Sequence, residues 1–256
     1  MLGVGFHPVD IGAAVEILIT TLRSGLRVYV CHTGVRGIMA AQKSKPLRRV
    51  LNEAYLNVAE SMSAVWIGRR QGFGDMGRVH APDLMAAICE ISIHNEYRHF
   101  FLSDDPVLLE TLQTRLTRRF PGLKVAGSFT VRGAALSRED DRRLIEEVAR
   151  TRPDFLWVGM ETPFQEEFMA RHLNRLKVKI MVGVGEAFRI HSQRLKDAPY
   201  WMKESGLVWL HRLAQQPRLL LRCLVQRPRF LIRVVGQLWG LKKYSLETEP
   251  PETPTG

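Results

Sequence analysis

Short runs rich in β-branched and aromatic residues alternate along the chain with longer stretches whose apolar positions recur every three to four residues. The short runs predict strands at residues 27–31, 99–102, 124–126, 155–158 and 178–182. Helices fill the gaps. Asp10 can cap one running to about Arg23, Pro46 can open one ending near Ala54, and residues 62–70 carry a helical pattern. Pro82 can open a helix over residues 83–93. Asp105 and Pro106 form an N-cap and first-turn pair before residues 107–118, and Ser137 with Asp140 starts the next helix. This alternation predicts an α/β fold, doubly wound around a mainly parallel, Rossmann-like sheet. Without an internal repeat or linker to divide it, the α/β domain is expected over residues 1–196. A basic helical appendage over 197–244 and a disordered tail over 245–256, with Pro250, Pro251 and Pro254, complete the chain.

Composition adds bounds. With 45% hydrophobic and 25% charged residues in a chain of 256, disordered, collagenous and disulfide-scaffold classes are excluded. Cys31, Cys89 and Cys223 are odd in number and far apart, which suits a reducing cytoplasm. The first residues lack the basic and apolar regions of a signal peptide, and no window reaches the ~18 uninterrupted apolar residues of a spanning helix.

The net charge of +11 is unevenly placed. Residues 206–243 carry Arg212, Arg218, Arg222, Arg227, Arg229, Arg233, Lys242 and Lys243 and no acid, interleaved with leucines and two tryptophans, Trp209 and Trp239. Such a segment suits an anionic membrane surface, with its apolar face in the headgroup boundary and arginines on phosphates. Nucleic acid is the rival partner on charge alone, but base stacking calls for aromatics rather than aliphatics, so no nucleic acid is expected. A third reading has these helices simply covering the core.

Several motifs carry possible chemistry. Gly72-Phe73-Gly74-Asp75-Met76-Gly77 has the glycine spacing of a dinucleotide turn but follows a helical pattern instead of a strand, so it reads as a loop. Asp104 and Asp105 resemble a metal-diphosphate pair yet sit where a helix wants its cap, and capping is the preferred reading. The histidines show no ligand spacing, so no metal is expected, and no Gly-x-Ser-x-Gly elbow is present. Gly159 ends a buried strand, Pro163 lies in the following turn, and Gln165 and Glu166 open a helix. A second strand delivers Gly183-Val184-Gly185 to the same sheet edge, where absent side chains would let backbone amides approach a phosphate.

These blocks occur in order with Phe188, Ala198-Pro199-Tyr200-Trp201, residues 206–213, Pro217-Arg218, Arg78-Val79-His80-Ala81-Pro82-Asp83 and Phe101-Leu102. Together they resemble the WecG/TagA/CpsF family of bacterial glycosyltransferases over most of the chain. The resemblance implies transfer of N-acetylmannosamine or a related sugar from a UDP donor to a polyprenyl-diphosphate-linked sugar. The place would be the inner face of the cell membrane, without metal or cofactor, in cell-surface polysaccharide synthesis. It also implies peripheral membrane attachment through the C-terminal appendage, and leaves a homo-oligomer open. It assigns Arg78 as the active-site arginine and Thr33, Gly127, Phe129, Gly159, Pro163, Gln165, Glu166, Gly183 and Gly185 to donor or substrate binding. Trp209, Arg212, Arg218 and Arg222 go to the membrane side.

Departures from the family pattern cluster in the first half. Its Pro-Asp-Gly turn, which holds the general base, is Ala59-Glu60-Ser61 here, so Glu60 inherits the role with one methylene more. Its Thr-x-Asn is His32-Thr33-Gly34, its paired glycines are Ser103-Asp104, and the Asp after the later Phe is Arg189. Two readings follow: an active transferase with an altered sugar or acceptor and Glu60 as base, or a nucleotide-sugar or lipid-binding protein that has lost the chemistry.

Overall fold

The computed structural model describes residues 1–131, 136–217, 220–241 and 244–246. Six strands form one sheet: β1 (Val28–Thr33), β2 (Leu56–Ala59), β3 (Arg98–Ser103), β4 (Lys124–Thr130), β5 (Phe155–Val158) and β6 (Ile180–Gly183). Their spatial order is β2-β1-β6-β5-β3-β4, and every pairing is parallel. The α/β, doubly wound expectation holds. Parallel strands need crossovers, and helices supply them on both faces.

Side chains alternate between two cores as the strand period demands. Val28, Val30, Phe101, Phe155, Trp157, Ile180 and Val182 point to one face. There they meet α1 (Ile11–Ser24), α5 (Ala81–Asn95), α6 (Pro106–Arg119) and α9 (Ala187–His191). Tyr29, Cys31, Phe100, Leu102, Leu156, Val158 and Met181 point to the other face. That side is covered by α3 (Lys45–Asn52), α7 (Arg138–Thr151) and α8 (Phe164–His172), with Ala41 of α2 (Val35–Ala41) beside them.

The caps follow the sequence signals. The side chains of Asp10, Ser44, Asp105 and Ser137 accept from the amides of Ala13, Leu47, Leu108 and Asp140, and Gly25 ends α1 in the left-handed region at φ 76°. Between Asp104 and Asp105, then, the cap is Asp105. The Gly72 to Gly77 segment follows α4 (Met62–Arg70), a helix, and is a loop.

Other expectations need correction. β2 and α2 were not expected, β1 and β4 run past their expected ends, and β6 starts two residues late. The C-terminal segment forms α10 (Tyr200–Glu204), α11 (Val208–Gln215) and α12 (Leu220–Leu238). Its last helix packs on the fold: Phe230 and Val234 are buried against Leu2, Ile38 and Met39, and the Leu2 amide donates to Gln237 Oε1 at 2.8 Å. The opposite face of α12 exposes Leu231, Ile232, Val235 and Leu238, followed by Trp239. No described helix is long and apolar enough to cross a membrane. Most of the expected disordered tail, residues 247–256, lies outside the described residues.

Two buried histidines link this core to pH. His99 lies in the first core beside the rings of Phe155 and Trp157, which also contact each other, and accepts from Trp157 Nε1 at 2.9 Å. Burial pulls the pKa of His99 down to about 4, and burial does the same to His32. Each binds its proton less readily folded than unfolded, so each favours unfolding as pH falls from about 6.5 to about 4. A shift of that size is worth on the order of 3 kcal/mol per group. Thermal melts should therefore show stability dropping across that window, and His99→Gln should flatten the drop; an equally steep decline in the variant would contradict the assignment.

Candidate active site

At the carboxyl edge of the sheet lies a cavity of about 360 Å³. Among the described residues, the ends of β1, β2, β3, β5 and β6 contribute to its wall. His32 lies in β1 and Gly34 follows it, Glu60 follows β2 and Asp104 follows β3. Gly159 to Thr162 follow β5, Gly183 ends β6, and Val184 to Glu186 follow it. The C-terminal helices supply Lys203, Trp209, Arg212, Gln226 and Arg227 from the other side. Six cationic side chains line it against four carboxylates, those of Glu60, Asp104, Glu161 and Glu186, so the cavity favours an anion.

The glycines after β6 have a steric purpose. A Cβ on Gly183 would come within 2.7 Å of Met169 Cε and 3.3 Å of Gln165 Cδ. The space it leaves lets Gln165, 4% exposed, accept from the Gly185 amide at 3.0 Å while its Nε2 donates to Glu166 Oε1 at 3.0 Å. Val184 N donates to Val158 O. The amides of Val184 and Gly185 are thus already engaged, which corrects the expected phosphate cradle. Glu166 also accepts from Thr162 Oγ1 at 2.9 Å, and burial raises its pKa.

Arg78 ties two walls together. Its Nε donates to Glu60 O at 2.8 Å and its Nη1 to Lys203 O at 3.3 Å. Burial lowers its pKa against the pull of the Glu60 and Asp83 carboxylates. Arg212 Nη1 pairs with Glu186 Oε2 at 2.9 Å, and its Nη2 is 4.0 Å from Glu60 Oε1. The Arg227 guanidinium lies 4.3 Å from the Trp209 ring centroid.

Two imidazoles complete the wall. His32 Nδ1 donates to Gly183 O at 3.0 Å. His80, preceding α5, places Nδ1 3.2 Å from Asp83 Oδ2. Asp83 in turn takes Lys203 Nζ at 3.1 Å, and Lys203 reaches Asp197 at 2.5 Å. Burial alone would raise the Asp83 pKa, but its hydrogen bonds to His80 and Lys203, with the Lys203 charge, outweigh it and hold the carboxyl well below its ordinary range. His80, Asp83 and Asp197 are close enough to ligate a cation; the Lys203 ammonium supplies a positive charge to both carboxylates.

With this geometry in view, the chain as a whole matches the glycosyl transferase WecG/TagA/CpsF family over residues 1–244. It belongs to that family. Among curated proteins it is 27% identical over 163 residues to the N-acetylglucosaminyldiphosphoundecaprenol N-acetyl-beta-D-mannosaminyltransferase of Staphylococcus aureus strain MRSA252. It is 26% identical over 163 residues to the protein of the same name from strain COL. Each match covers 64% of this chain and 62% of the relative, so the chain spans less than two thirds of these relatives' own length.

Seen against the WecG/TagA/CpsF expectations, the cavity gathers Glu60, Arg78, Gly159, Gln165, Gly183 and Gly185. Trp209 and Arg212 line it too, because α11 lies along its side, so their side chains are not simply turned outward to a membrane. Thr33 is off the lining, its hydroxyl donating to Asn57 Oδ1 at 2.6 Å. Gly127 and Phe129 sit on edge strand β4, where Gly127 makes room for the Phe100 ring. Pro163 and Glu166 stand behind the wall through Thr162 and Gln165. Arg218 and the side chain of Arg222 lie outside the described residues. Sequence reasoning missed His80, Lys203 and Arg227; for His80 the available signal was an acid three residues on, at a helix start.

The packing around Gly183 yields a direct test. Gly183→Ala must push Met169 or Gln165 aside, so it should cost about 1–3 kcal/mol in urea unfolding. Gly74→Ala, with nothing near its new methyl, should stay within about 0.5 kcal/mol.

Proposed function

We propose that this chain transfers an N-acetylmannosamine-type sugar from a UDP donor to a polyprenyl-diphosphate-linked sugar, as its relatives' names describe for that acceptor and sugar. The product would feed cell-surface or exopolysaccharide synthesis at the inner face of the cell membrane. The carrying observation is the cation-rich cavity at the carboxyl edge of the sheet, in a member of a glycosyltransferase family. Guanidiniums such as Arg78 and Arg212 suit the charge that develops on a departing diphosphate. Glu60 and His80 are the neighbouring groups able to take a hydroxyl proton. No metal is invoked, since Arg side chains can supply the same charge stabilisation.

UDP should then raise the melting temperature without added divalent metal, because a ligand bound only to the native state stabilises it. UDP-N-acetylmannosamine with a polyprenyl-diphosphate-linked N-acetylglucosamine should turn over. No melting shift at millimolar UDP, with or without magnesium, would overturn the reading. Binding without turnover on any UDP-sugar would favour a binding protein instead.

Membrane attachment belongs to the same proposal. The exposed face of α12 carries Leu231, Ile232 and Val235 beside the exposed Arg229 and Arg233, a pattern suited to an anionic lipid interface. Ile232→Glu with Trp239→Glu should abolish sedimentation with anionic vesicles and leave UDP affinity unchanged. Equal sedimentation of the variant would remove α12 as the anchor.

A further inference from the structure

We propose that His80, oriented by Asp83, is the group that takes the acceptor's proton, rather than Glu60. The inference rests on the transferase reading and assigns one of its steps. Three observations carry it. His80 lines the cavity yet is 2% exposed, and its Nε2 has no hydrogen-bond partner among the described residues. A buried polar atom left without a partner is costly, a cost that a ligand hydroxyl donating to it would remove.

The second observation is orientation. A carboxylate can only accept, so the contact from Asp83 Oδ2 to His80 Nδ1 puts a proton on Nδ1. In the neutral ring Nε2 then carries the lone pair. Asp83 is anchored by Lys203, which also holds Asp197, so the ring's partner is itself fixed. This is the arrangement of a base steered by a third group. Among the described residues the Glu60 carboxylate has no such restraint: the ionic contact it makes there, to Arg212 at 4.0 Å, is beyond hydrogen-bond distance.

The third is the neighbour. His32, also in the wall, has its Nδ1 committed to Gly183 O and is held neutral by burial, so its Nε2, likewise unpartnered, offers a second acceptor. His32 can thereby receive another donor of the same sugar while His80 takes the reacting hydroxyl. In the step, the acceptor O–H bond breaks and its proton passes to His80 Nε2. The oxygen bonds to the anomeric carbon, and the bond from that carbon to the UDP oxygen breaks, its electron pair leaving on the diphosphate. Asp83 then faces the imidazolium that forms, and Glu60 remains a contact for the sugar.

The test compares His80→Gln, Asp83→Asn and Glu60→Gln in the full chain. With UDP-N-acetylmannosamine and the lipid-linked acceptor, His80→Gln should lower kcat on the order of a hundredfold or more, with UDP affinity within about threefold. Asp83→Asn should lower kcat about tenfold or more, and Glu60→Gln by less than His80→Gln. Added imidazole should restore at least about tenfold to His80→Ala, which a purely structural loss would not allow. Full turnover in His80→Gln, or a greater loss in Glu60→Gln, would overturn the proposal while leaving the transferase reading intact. An inactive parent chain would overturn both. Nitrogen-15 spectra of the parent at pH 8 stand apart from turnover and from variant folding: a neutral His80 protonated on Nε2 instead of Nδ1 would overturn the assignment outright.

Discussion

All six strands run in the same direction, and the site depends on that constraint. Parallel pairing brings every strand's carboxyl end to one edge, so residues far apart in sequence converge there without any loop having to reach across the molecule. His32, Glu60, Asp104, Gly159 and Gly183 each stand at or just past a strand end, and all line one cavity. The two apolar cores fix those ends in register. Trp157 and Val158 pack on opposite faces one residue apart, so a slip of β5 by one position would bury the wrong face on both sides.

A second set of interactions brings the C-terminal helices onto that edge. Lys203 of α10 sits between Asp83 and Asp197, and its carbonyl receives Arg78. Arg212 of α11 takes Glu186 from the loop after β6. Partly exposed pairs contribute at most about 1 kcal/mol each, so they do not hold the helices alone. Burial of Phe230 and Val234 against the N-terminal segment supplies the apolar share, at roughly 1.5–3 kcal/mol per fully buried side chain. The ion pairs instead select which cations stand in the wall.

How much of this was legible in the sequence depends on which interactions are local. The run Phe155 to Val158 announces a buried strand by composition alone, and Asp105 announces its cap because the acceptor and the amide it serves are three residues apart. β2 was missed because Asn57 interrupts its apolar pattern. That asparagine is buried by tertiary bonds, accepting from Thr33 Oγ1 and donating Nδ2 to Gly5 O, which no window of sequence contains. The turn from Gly183 to Gly185 was legible as a turn, but the fate of its amides was not: Gln165 and Val158, both distant in sequence, take them. Glu60 and Arg78 were legible only through the family likeness, since neither spacing nor charge marks them.

The C-terminal segment shows why composition cannot assign direction. Its arginines and apolar residues suit an anionic membrane surface or a cover for the core until the helices are placed, and the placement divides them. Phe230 and Val234 cover the core, Arg212 and Arg227 enter the cavity wall, and Leu231, Ile232 and Val235 face outward. A helix repeats its faces every 3.6 residues, so one stretch can serve core and surface at once. α12 thus does three things along its length: Gln226 and Arg227 line the cavity, Phe230 and Val234 pack on Leu2, Ile38 and Met39, and an apolar stripe with Leu231, Ile232 and Val235 is left exposed.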